Sequence, residues 1–266
     1  MDAMQRRWLT AIQFAAAGLP EETLLSMGLA QGQLIGLETT ESKHLQTLFA
    51  NYYARVRSWS AFQAVPSALP YCFSQSKPTN GLATVFVPAR ITGSTRTILF
   101  VHGFGGSLLG YLHFMASTFS NDVVICPAYG VEPASISPGY LTEALNACAT
   151  KLGRVERKPM LIGLSAGGVG ACRVFAERGS SYQKLICLGS IPPLEAARRF
   201  DSTMEIHFIS GAREPHVVDG SFNQQIREIR PRVRALSSQL IPEADHYFLL
   251  SHEQQTRTAL LKAAGN

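Results

Sequence analysis

The sequence predicts an α/β protein, in which a mostly parallel, doubly wound sheet is flanked by helices and preceded by an N-terminal helical extension. Three observations predict this class. Residues 63–266 alternate short apolar segments with segments of helical periodicity, a pattern that favours parallel strands joined by crossover helices. Residues 1–62 carry helical patterns only. The chain has 266 residues, of which 46% are hydrophobic and 16% charged, a composition typical of a well-buried globular protein.

The N-terminal extension is predicted to consist of three helices. Apolar residues recur at helical spacing over residues 3–17, and Pro20 followed by two glutamates is a typical helix start. Thr40 can cap the third helix, which carries a continuous apolar stripe. The stripe consists of Leu45, Leu48, Phe49, Tyr52, Val56 and Trp59. Because a stripe needs a partner surface, we expect residues 1–62 to pack over residues 63–266 as a possible lid on the site; a homodimer contact is the alternative.

The first part of the sheet domain is predicted to contain strands joined by turns. Tyr71–Gln75 and Leu82–Val87 are predicted strands, and Asn80-Gly81 lies at the tip of the turn between them. Thr97–Val101 is an apolar, β-rich segment and predicts a buried strand. A helix with apolar positions from Leu108 to Phe119 follows it.

Strands and helices then alternate regularly to the end of the chain. Ser137 is predicted to cap a helix whose first residue is Pro138. The remaining predicted strands are Val123–Cys126, Met160–Ile162, Lys184–Leu188, Glu205–Ser210 and Ala235–Ile241. The remaining predicted helices are Gly168–Arg178, Pro193–Phe200, Ser221–Ile229 and Ser251–Ala263. Because ligands collect at the carboxyl ends of parallel strands, we expect the functional site at that edge.

Composition and charge argue against several classes of protein. The formal net charge of +5 is too mild for a nucleic-acid footprint, and no apolar segment is long enough to predict a membrane span. Arginine-rich residues 227–234 are predicted to form a solvated helix end, with phosphate binding as the alternative. The five cysteines show no C-x-x-C or Cys/His spacing, so we expect no metal site and a reducing, cytoplasmic compartment. Residues 6–18 faintly resemble a secretory signal, but an amphipathic helix explains them as well, and secretion stays open.

A candidate nucleophile lies in Gly163-Leu164-Ser165-Ala166-Gly167, which has the pattern G-x-S-x-G. The residues before this motif predict a buried strand, and those after it predict a helix. A serine between such a strand and helix stands at the tip of a tight turn, where the next backbone N–H points into the same space. Taken alone, the motif also fits a glycine-rich turn with a solvated serine.

The other residue types that acyl transfer requires follow separate predicted strands. Ser165 needs a base to take its proton, and we expect His246 to be that base. Glu214 is the expected carboxylate that orients the imidazole, with Asp219 as the alternative acid. Asp245, next to the histidine, is predicted to cap its own loop.

The backbone near Ser165 is expected to supply the rest of the site. The N–H groups of Phe104 and Ala166 are the expected oxyanion-hole donors. The predicted substrate-binding residues are Gly103, Gly105, Leu164 and His216. The glycines would let the backbone approach the substrate closely, and His216 is near enough to Glu214 in sequence to line the pocket.

Three other histidines have structural interpretations. His102 follows a predicted strand and is expected to shape the loop after it rather than to titrate in catalysis. His207 lies inside a predicted strand and is expected to pack there. His113 fits the surface of a helix.

Four motifs together resemble those of the α/β-hydrolase superfamily, over about residues 70–264. They are H-G-F-G-G at 102–106, G-L-S-A-G-G at 163–168, G-A-R-E at 211–214 and A-D-H-Y-F at 244–248. The chain order serine, acid, histidine is the one that this superfamily uses. The resemblance implies the α/β-hydrolase fold, no cofactor, and esterase, lipase, thioesterase or amidase activity on a small ester-like substrate.

The sequence departs from the superfamily pattern in two ways. The acid is more often Asp, whereas Glu214 has a longer reach. Residues 188–205, where the superfamily often inserts a lid domain, are too few to form one. Two other functions stay open at this point, which are non-catalytic binding of a small molecule or protein, and acyl transfer to an acceptor other than water.

Overall fold

The computed structural model of the chain describes residues 18–30, 39–63, 65, 67, 83–103, 109–128, 136–153 and 158–265. Three predicted features lie outside the described residues. They are the helix over residues 3–17, the strand Tyr71–Gln75 and the Asn80-Gly81 turn.

Seven strands form one sheet in the order β1-β3-β2-β4-β5-β6-β7. The strands are β1 (Ala83–Phe86), β2 (Thr97–Val101), β3 (Val123–Pro127), β4 (Met160–Leu164), β5 (Leu185–Leu188), β6 (Glu205–Gly211) and β7 (Ala235–Ile241). Only β1 runs antiparallel to its neighbour among these strands; every other neighbouring pair is parallel. The predicted mostly parallel sheet is confirmed.

Helices precede the sheet and connect its strands. They are α1 (Glu21–Ala30), α2 (Thr39–Ser58), α3 (Ser60–Gln63), α4 (Leu109–Thr118), α5 (Pro138–Leu152), α6 (Ala166–Arg178), α7 (Leu194–Ala197), α8 (Pro215–Val218), α9 (Ser221–Ile229), α10 (Phe248–Ser251) and α11 (Glu253–Ala264). A 3-10 turn, Gly179–Ser181, follows α6. Within the described part of the chain, no helix has both the length and the apolar character needed to cross a bilayer.

Helices cover both faces of the sheet, and each face has its own apolar core. One face packs against α2, α4, α10 and α11, with Tyr52 and Phe114 at its centre. The other packs against α5, α6 and α9, with Phe175 and Phe222 at its centre. Because β2, β3, β4 and β5 are covered on both faces, every one of their residues is buried.

Local sequence explains the bounds of α5. The hydroxyl oxygen of Ser137 accepts a hydrogen bond from the backbone N–H of Tyr140, 3.2 Å away, and Pro138 occupies the first turn. Gly153 ends the helix in the left-handed conformation, with φ 63°. The predicted cap is therefore confirmed.

The apolar stripe of α2 has its partner surface within the same chain. Leu45, Phe49, Tyr52 and Val56 are all buried in the first core. Buried side chains of this kind stabilise the folded chain by roughly 1.5–3 kcal/mol each relative to an exposed position. The stripe therefore packs helix α2 against the sheet domain.

The structure corrects two predictions. The helix predicted to begin at Ser251 begins instead at Glu253 as α11, because the backbone angles of His252, φ −124° and ψ 45°, separate it from α10, a short helix that the sequence did not predict. His113 is buried rather than on a helix surface, and its Nδ1 lies 3.1 Å from the Tyr52 hydroxyl oxygen. The periodicity of α4 alone cannot show that α2 covers this side of it.

Candidate active site

The segments that carry predicted site residues meet at one edge of the sheet. Gly103 follows β2, Ser165 follows β4, Glu214 follows β6 and His246 follows β7. These four strands are parallel, so their carboxyl ends point the same way. This is the edge at which open parallel sheets bind their ligands.

Ser165 occupies a tight turn between β4 and α6. Its backbone angles, φ 53° and ψ −122°, are rare for a residue other than glycine, and such strain costs roughly 1–3 kcal/mol. The turn brings α6 against β2, since a Cβ on Gly167 would overlap the carbonyl oxygens of Val101 and His102. The backbone N–H of Ser165 donates to the Leu188 carbonyl, 2.8 Å away. This is the strand–turn–helix geometry that the G-x-S-x-G pattern predicts.

Ser165, His246 and Glu214 are joined by two hydrogen bonds. His246 Nε2 lies 2.9 Å from Ser165 Oγ, and His246 Nδ1 lies 2.8 Å from Glu214 Oε2. An ionised carboxylate can only accept, so Nδ1 carries the ring proton and donates it to Glu214. Nε2 is then the acceptor for the Ser165 hydroxyl. The structure thus brings together the three residues that the sequence predicts as nucleophile, base and acid.

The surroundings of His246 favour its protonated form. The hydrogen bond to Glu214 raises the pKa of the imidazole above its ordinary value of 6.5; burial opposes this shift, and the charge of Asp245 adds to it. Glu214 is only 2% exposed, so its charge is poorly screened by water. An imidazolium formed by proton transfer from the serine would therefore be stabilised here.

Glu214 has two further polar neighbours, which are His216, a predicted site residue, and Ser210, which sequence reasoning missed. The Ser210 hydroxyl donates to Glu214 Oε1 at 3.3 Å, and Ser210 Oγ lies 2.9 Å from His216 Nε2. His216 Nδ1 lies 3.7 Å from Glu214 Oε2, and burial lowers the pKa of His216 despite that charge. The available signal for Ser210 was a serine directly after the apolar residues Phe208 and Ile209, at the end of a predicted strand.

Gly189 makes room for the acid and is a second residue that sequence reasoning missed. It adopts φ +57°, and a Cβ there would lie 2.8 Å from Glu214 Oε1 and 3.5 Å from His246 Cε1. Any larger residue would push the carboxylate away from the imidazole. The available signal was a glycine directly after a buried strand, which marks a close approach.

The alternative acid lies elsewhere. Asp219 is exposed at the end of α8, and its Oδ1 accepts the backbone N–H of Ser221 at 2.9 Å. Hydrogen bonds from Ser221 lower the pKa of this carboxyl. Asp245 Oδ1 accepts the backbone N–H of Tyr247 at 2.8 Å, which is the predicted loop cap. Of these three carboxylates, Glu214 is the one hydrogen-bonded to His246.

The segment after β2 begins beside the serine. A Cβ on Gly103 would lie 3.4 Å from Ser165 Cβ. His102 is buried, its Nδ1 donates to the Gly103 carbonyl at 2.8 Å, and burial lowers its pKa to about 4. A histidine that stays neutral in this way is unlike a catalytic base, and its predicted role in shaping the following loop stays a prediction. Phe104 and Gly105, the other predicted residues of this segment, lie outside the described residues.

The remaining predicted site residues are placed as follows. Ala166 is the first residue of α6, directly after the serine, where backbone N–H groups are not used by the helix. Leu164 is buried in the first core. His216 Nε2 lies 2.9 Å from Ser210 Oγ, and the Ser210 hydroxyl donates to Glu214. Contact of Leu164 and His216 with a substrate stays a prediction. Within the described part of the chain, no three His, Cys, Asp or Glu side chains are grouped as metal ligands would be.

Solved structures of hydrolases share this fold. The Bacillus cereus carboxylesterase gives a TM-score of 0.55 at 12% sequence identity, covering 74% of this chain and 100% of that chain. The esterase Est2 of the planctomycete Thermogutta terrifontis, solved with butyrate bound, gives 0.52 at 14% identity, covering 68% and 87%. MGS-MChE2, an α/β-hydrolase enzyme from a lagoon-sediment metagenome, gives 0.50 at 16% identity, covering 70% and 96%. No model of a protein family matches the sequence, and no curated protein matches it.

These similarities establish the fold class. The chain has the α/β-hydrolase fold, as its four motifs imply. Proteins of one fold carry out many different reactions, so the function has to be argued from the site itself.

Proposed function

We propose that this protein is a serine hydrolase that cleaves carboxylic esters through a covalent acyl-enzyme. Ser165 is the nucleophile, His246 the general base and acid, and Glu214 the carboxylate that orients the imidazole. The observation that carries the proposal is the pair of hydrogen bonds, 2.9 and 2.8 Å long, that joins the three side chains at a strained turn. A serine hydroxyl becomes a good nucleophile when a neighbouring base takes its proton, and His246 is positioned to do so.

In the first half of the reaction, the enzyme is acylated. His246 Nε2 takes the hydroxyl proton while Ser165 Oγ forms a bond to the ester carbonyl carbon, and the carbonyl electron pair moves onto oxygen. The tetrahedral intermediate then breaks its bond to the alcohol oxygen, which receives the proton from His246. Glu214 stays ionised throughout and stabilises the imidazolium.

In the second half, water releases the acyl group. His246 takes a proton from water, whose oxygen bonds to the acyl carbon. Collapse of the second tetrahedral intermediate breaks the bond to Ser165 Oγ, and His246 returns the proton to that oxygen. The products are a carboxylic acid, an alcohol and the free enzyme.

The negative charge on each tetrahedral intermediate needs fixed donors. The Ala166 N–H at the start of α6 is one proposed donor, and the Phe104 N–H is the other. Each such donor contributes roughly 2.7–4 kcal/mol to stabilisation of the transition state. The partial positive charge at the N-terminus of α6 acts in the same direction.

Carboxylic esters are the substrate class that the fold neighbours support. Two of the neighbours described above are a carboxylesterase and an esterase solved with butyrate. Hydrolysis of such an ester requires only a nucleophile, a base and oxyanion donors, so the proposed reaction uses no cofactor.

Replacement of the nucleophile tests the proposal. Ser165→Ala removes only the attacking oxygen, and we expect kcat/KM on p-nitrophenyl esters of graded acyl length to fall by about 10³-fold or more. Ser202→Ala is the matched control, because Ser202 is exposed on the surface. Turnover by Ser165→Ala that equals the turnover of Ser202→Ala would contradict the proposal.

A further inference from the structure

A buried carboxylate joins the N-terminal helices to the segment that follows the active-site glycines. Glu21 opens α1 and is only 2% exposed. Its Oε2 accepts the Tyr53 hydroxyl at 2.7 Å and the backbone N–H of Leu109 at 2.6 Å, and its Oε1 accepts the Ser67 hydroxyl at 2.6 Å. Three donors from three separate parts of the chain therefore meet on one side chain.

The contact with Leu109 caps a helix from a distant part of the chain. Leu109 is the first residue of α4, and the N–H groups of a first helical turn have no partner within the helix. The backbone of Gly110 also hydrogen-bonds to Tyr53, which Glu21 holds. A negative charge at a helix N-terminus is stabilising, because it faces the positive end of the helix dipole. Glu21 therefore fixes the first turn of α4 relative to α1 and α2.

Gly110 packs against the two tyrosines of α2 at ordinary van der Waals distance. A Cβ at that position would lie 3.4 Å from Tyr53 Cε2 and 3.5 Å from Tyr52 Cδ1. Burial raises the pKa of Glu21, while the hydrogen bonds from Ser67, Tyr53 and Leu109 act in the opposite direction. A group of donors arranged around one buried carboxylate has no substitute partner once that carboxylate is removed.

The fixed helix start lies close along the chain to Gly103, the residue that packs beside the nucleophile. Gly103 packs beside Ser165, and Leu109 is six positions further on. The position of Leu109 therefore sets where the connection from Gly103 ends. The Phe104 N–H, one of the proposed oxyanion donors, belongs to that connection.

Helix α2 contacts the other side of the site as well. The ring of Phe49 meets the ring of Tyr247 edge to face, with centroids 6.0 Å apart. Tyr247 follows His246, and the two rings are also 6.0 Å apart at nearly right angles. In addition, Arg55 forms an ion pair of 2.7 Å with Glu253 at the start of α11. Helices α1 and α2 thus contact both α4, which follows Gly103 in the chain, and the segment after β7 that carries His246.

We propose that Glu21 is a positioning residue for ester hydrolysis, which holds the first turn of α4 in the place that the oxyanion-binding backbone requires. The inference rests on the proposed function. It differs from the lid role predicted for residues 1–62, because a lid selects substrates whereas this contact supports the chemical step. Loss of Glu21 is therefore expected to lower kcat more than it changes KM.

Glu21→Gln in the full-length protein tests this role. The amide has one accepting oxygen in place of two and donates through its nitrogen, so at least one of the three donors loses its acceptor and has to reorient. We expect kcat on a p-nitrophenyl ester to fall by about tenfold to a hundredfold, since a misplacement of about 1 Å at a reacting group costs on the order of 10²-fold. KM is expected to stay within about twofold, because ground-state binding does not use the oxyanion donors.

Glu22→Gln is the matched control. Glu22 is the next residue of the same helix, and its ion pair of 2.6 Å is with Arg57 on the surface. Exposed pairs of this kind contribute about 0–1 kcal/mol, so we expect wild-type kinetics. Tyr53→Phe is the second variant; it removes one donor to Glu21 and leaves the carboxylate in place, and kcat is expected to fall by less than in Glu21→Gln.

The outcomes separate this inference from the proposed function. A loss of kcat in Glu21→Gln and a smaller loss in Tyr53→Phe, at a temperature where circular dichroism shows both to be folded, support the positioning role. If Glu21→Gln does not fold, the kcat of Tyr53→Phe decides. Kinetics like those of Glu22→Gln in the folded variants would overturn the inference alone. Equal turnover by wild type and Ser165→Ala would instead overturn the proposed function.

Discussion

Two Ser-His-Glu chains of hydrogen bonds occur at opposite ends of strand β6. At its carboxyl end, His246 connects Ser165 to Glu214. At its amino end, His207 Nδ1 lies 2.6 Å from Ser237 Oγ, and His207 Nε2 lies 2.9 Å from Glu205 Oε1. The same three residue types are thus linked twice by bonds of similar length.

The two carboxylates differ in their other partners. Glu205 accepts from Lys184 at 2.6 Å and from Arg234 at 2.8 Å. Although burial raises the pKa of Glu205, hydrogen bonds from Lys184 and His207 lower it to about 2. Among the described residues, the ion pairs of Glu214 are with histidines only. The hydrogen-bonded ion-pair partner of Glu214 is therefore the imidazole of His246, whereas Glu205 also pairs with a lysine and an arginine.

The two histidines respond in opposite directions. The hydrogen bond to Glu214 raises the pKa of His246. Burial lowers the pKa of His207, and the charge of Lys184 adds to this, although Glu205 opposes it. Ser237 also lies within the regular strand β7, whereas Ser165 stands on a strained turn. A hydrogen-bonded triplet therefore becomes a catalytic candidate through its electrostatics and backbone geometry, and not through its residue types.

Neutralising the acid at the carboxyl end is expected to give the largest effect. Glu214→Gln keeps the shape of the side chain but removes the charge that stabilises the imidazolium. We expect kcat/KM on esters to fall by roughly 10²- to 10⁴-fold, as steady-state kinetics would measure. Asp219→Asn is expected to stay within about twofold, because Asp219 is exposed and bonded to Ser221. A larger loss in Asp219→Asn than in Glu214→Gln would assign the acid to Asp219.

The same substitution in the hydrogen-bonded triplet at the amino end of β6, Glu205→Gln, is the control. Glu205→Gln leaves buried Lys184 without its charged partner. We expect activity to stay near that of the wild type and the free energy of unfolding to fall by about 2–3 kcal/mol, measured by urea denaturation. Because the folded pKa of Glu205 is depressed, its contribution is present above the unfolded pKa and is lost as pH falls towards about 2.

The pH dependence of kcat/KM is expected to show a smaller effect, which is a raised midpoint, because Glu214 raises the pKa of His246. His246 accepts the serine proton only when it is neutral, so kcat/KM falls as pH falls through its pKa. Since that pKa is raised, we expect the midpoint above 6.5. Residual activity of Glu214→Gln should show a lower midpoint, because the main cause of the shift is gone. A wild-type midpoint below 6.5 would contradict this assignment.

Much of the fold was predictable because its signals are local. The bounds of Thr97–Val101, Ser221–Ile229 and Ala235–Ile241 agree with the structure, since periodicity and turn residues determine them over a few positions. The three linked side chains were also predictable, because Ser165 and His246 each follow a predicted strand of a parallel sheet.

The supporting contacts were not predictable, because they depend on which loops meet. Gly189 comes close to the acid only after β5 and β6 have been placed side by side, and the contact of Ser210 with the acid depends on how the segment after β6 folds back. Glu21 reads in sequence as an ordinary helix-start acid, and its burial against Leu109 depends on how α1 docks. The short helix α10 before His252 was likewise not predicted, because no proline or glycine marks its end in the sequence.

Active-site labelling tests the central claim most directly. The wild-type protein is treated with a fluorophosphonate, which bonds only to an activated serine, and the modified peptide is identified by mass spectrometry. The account predicts one label per chain, on Ser165, much slower labelling in Glu214→Gln, and none on Ser237. A label on Ser237, or a folded wild-type protein that takes up no label at Ser165, would contradict it.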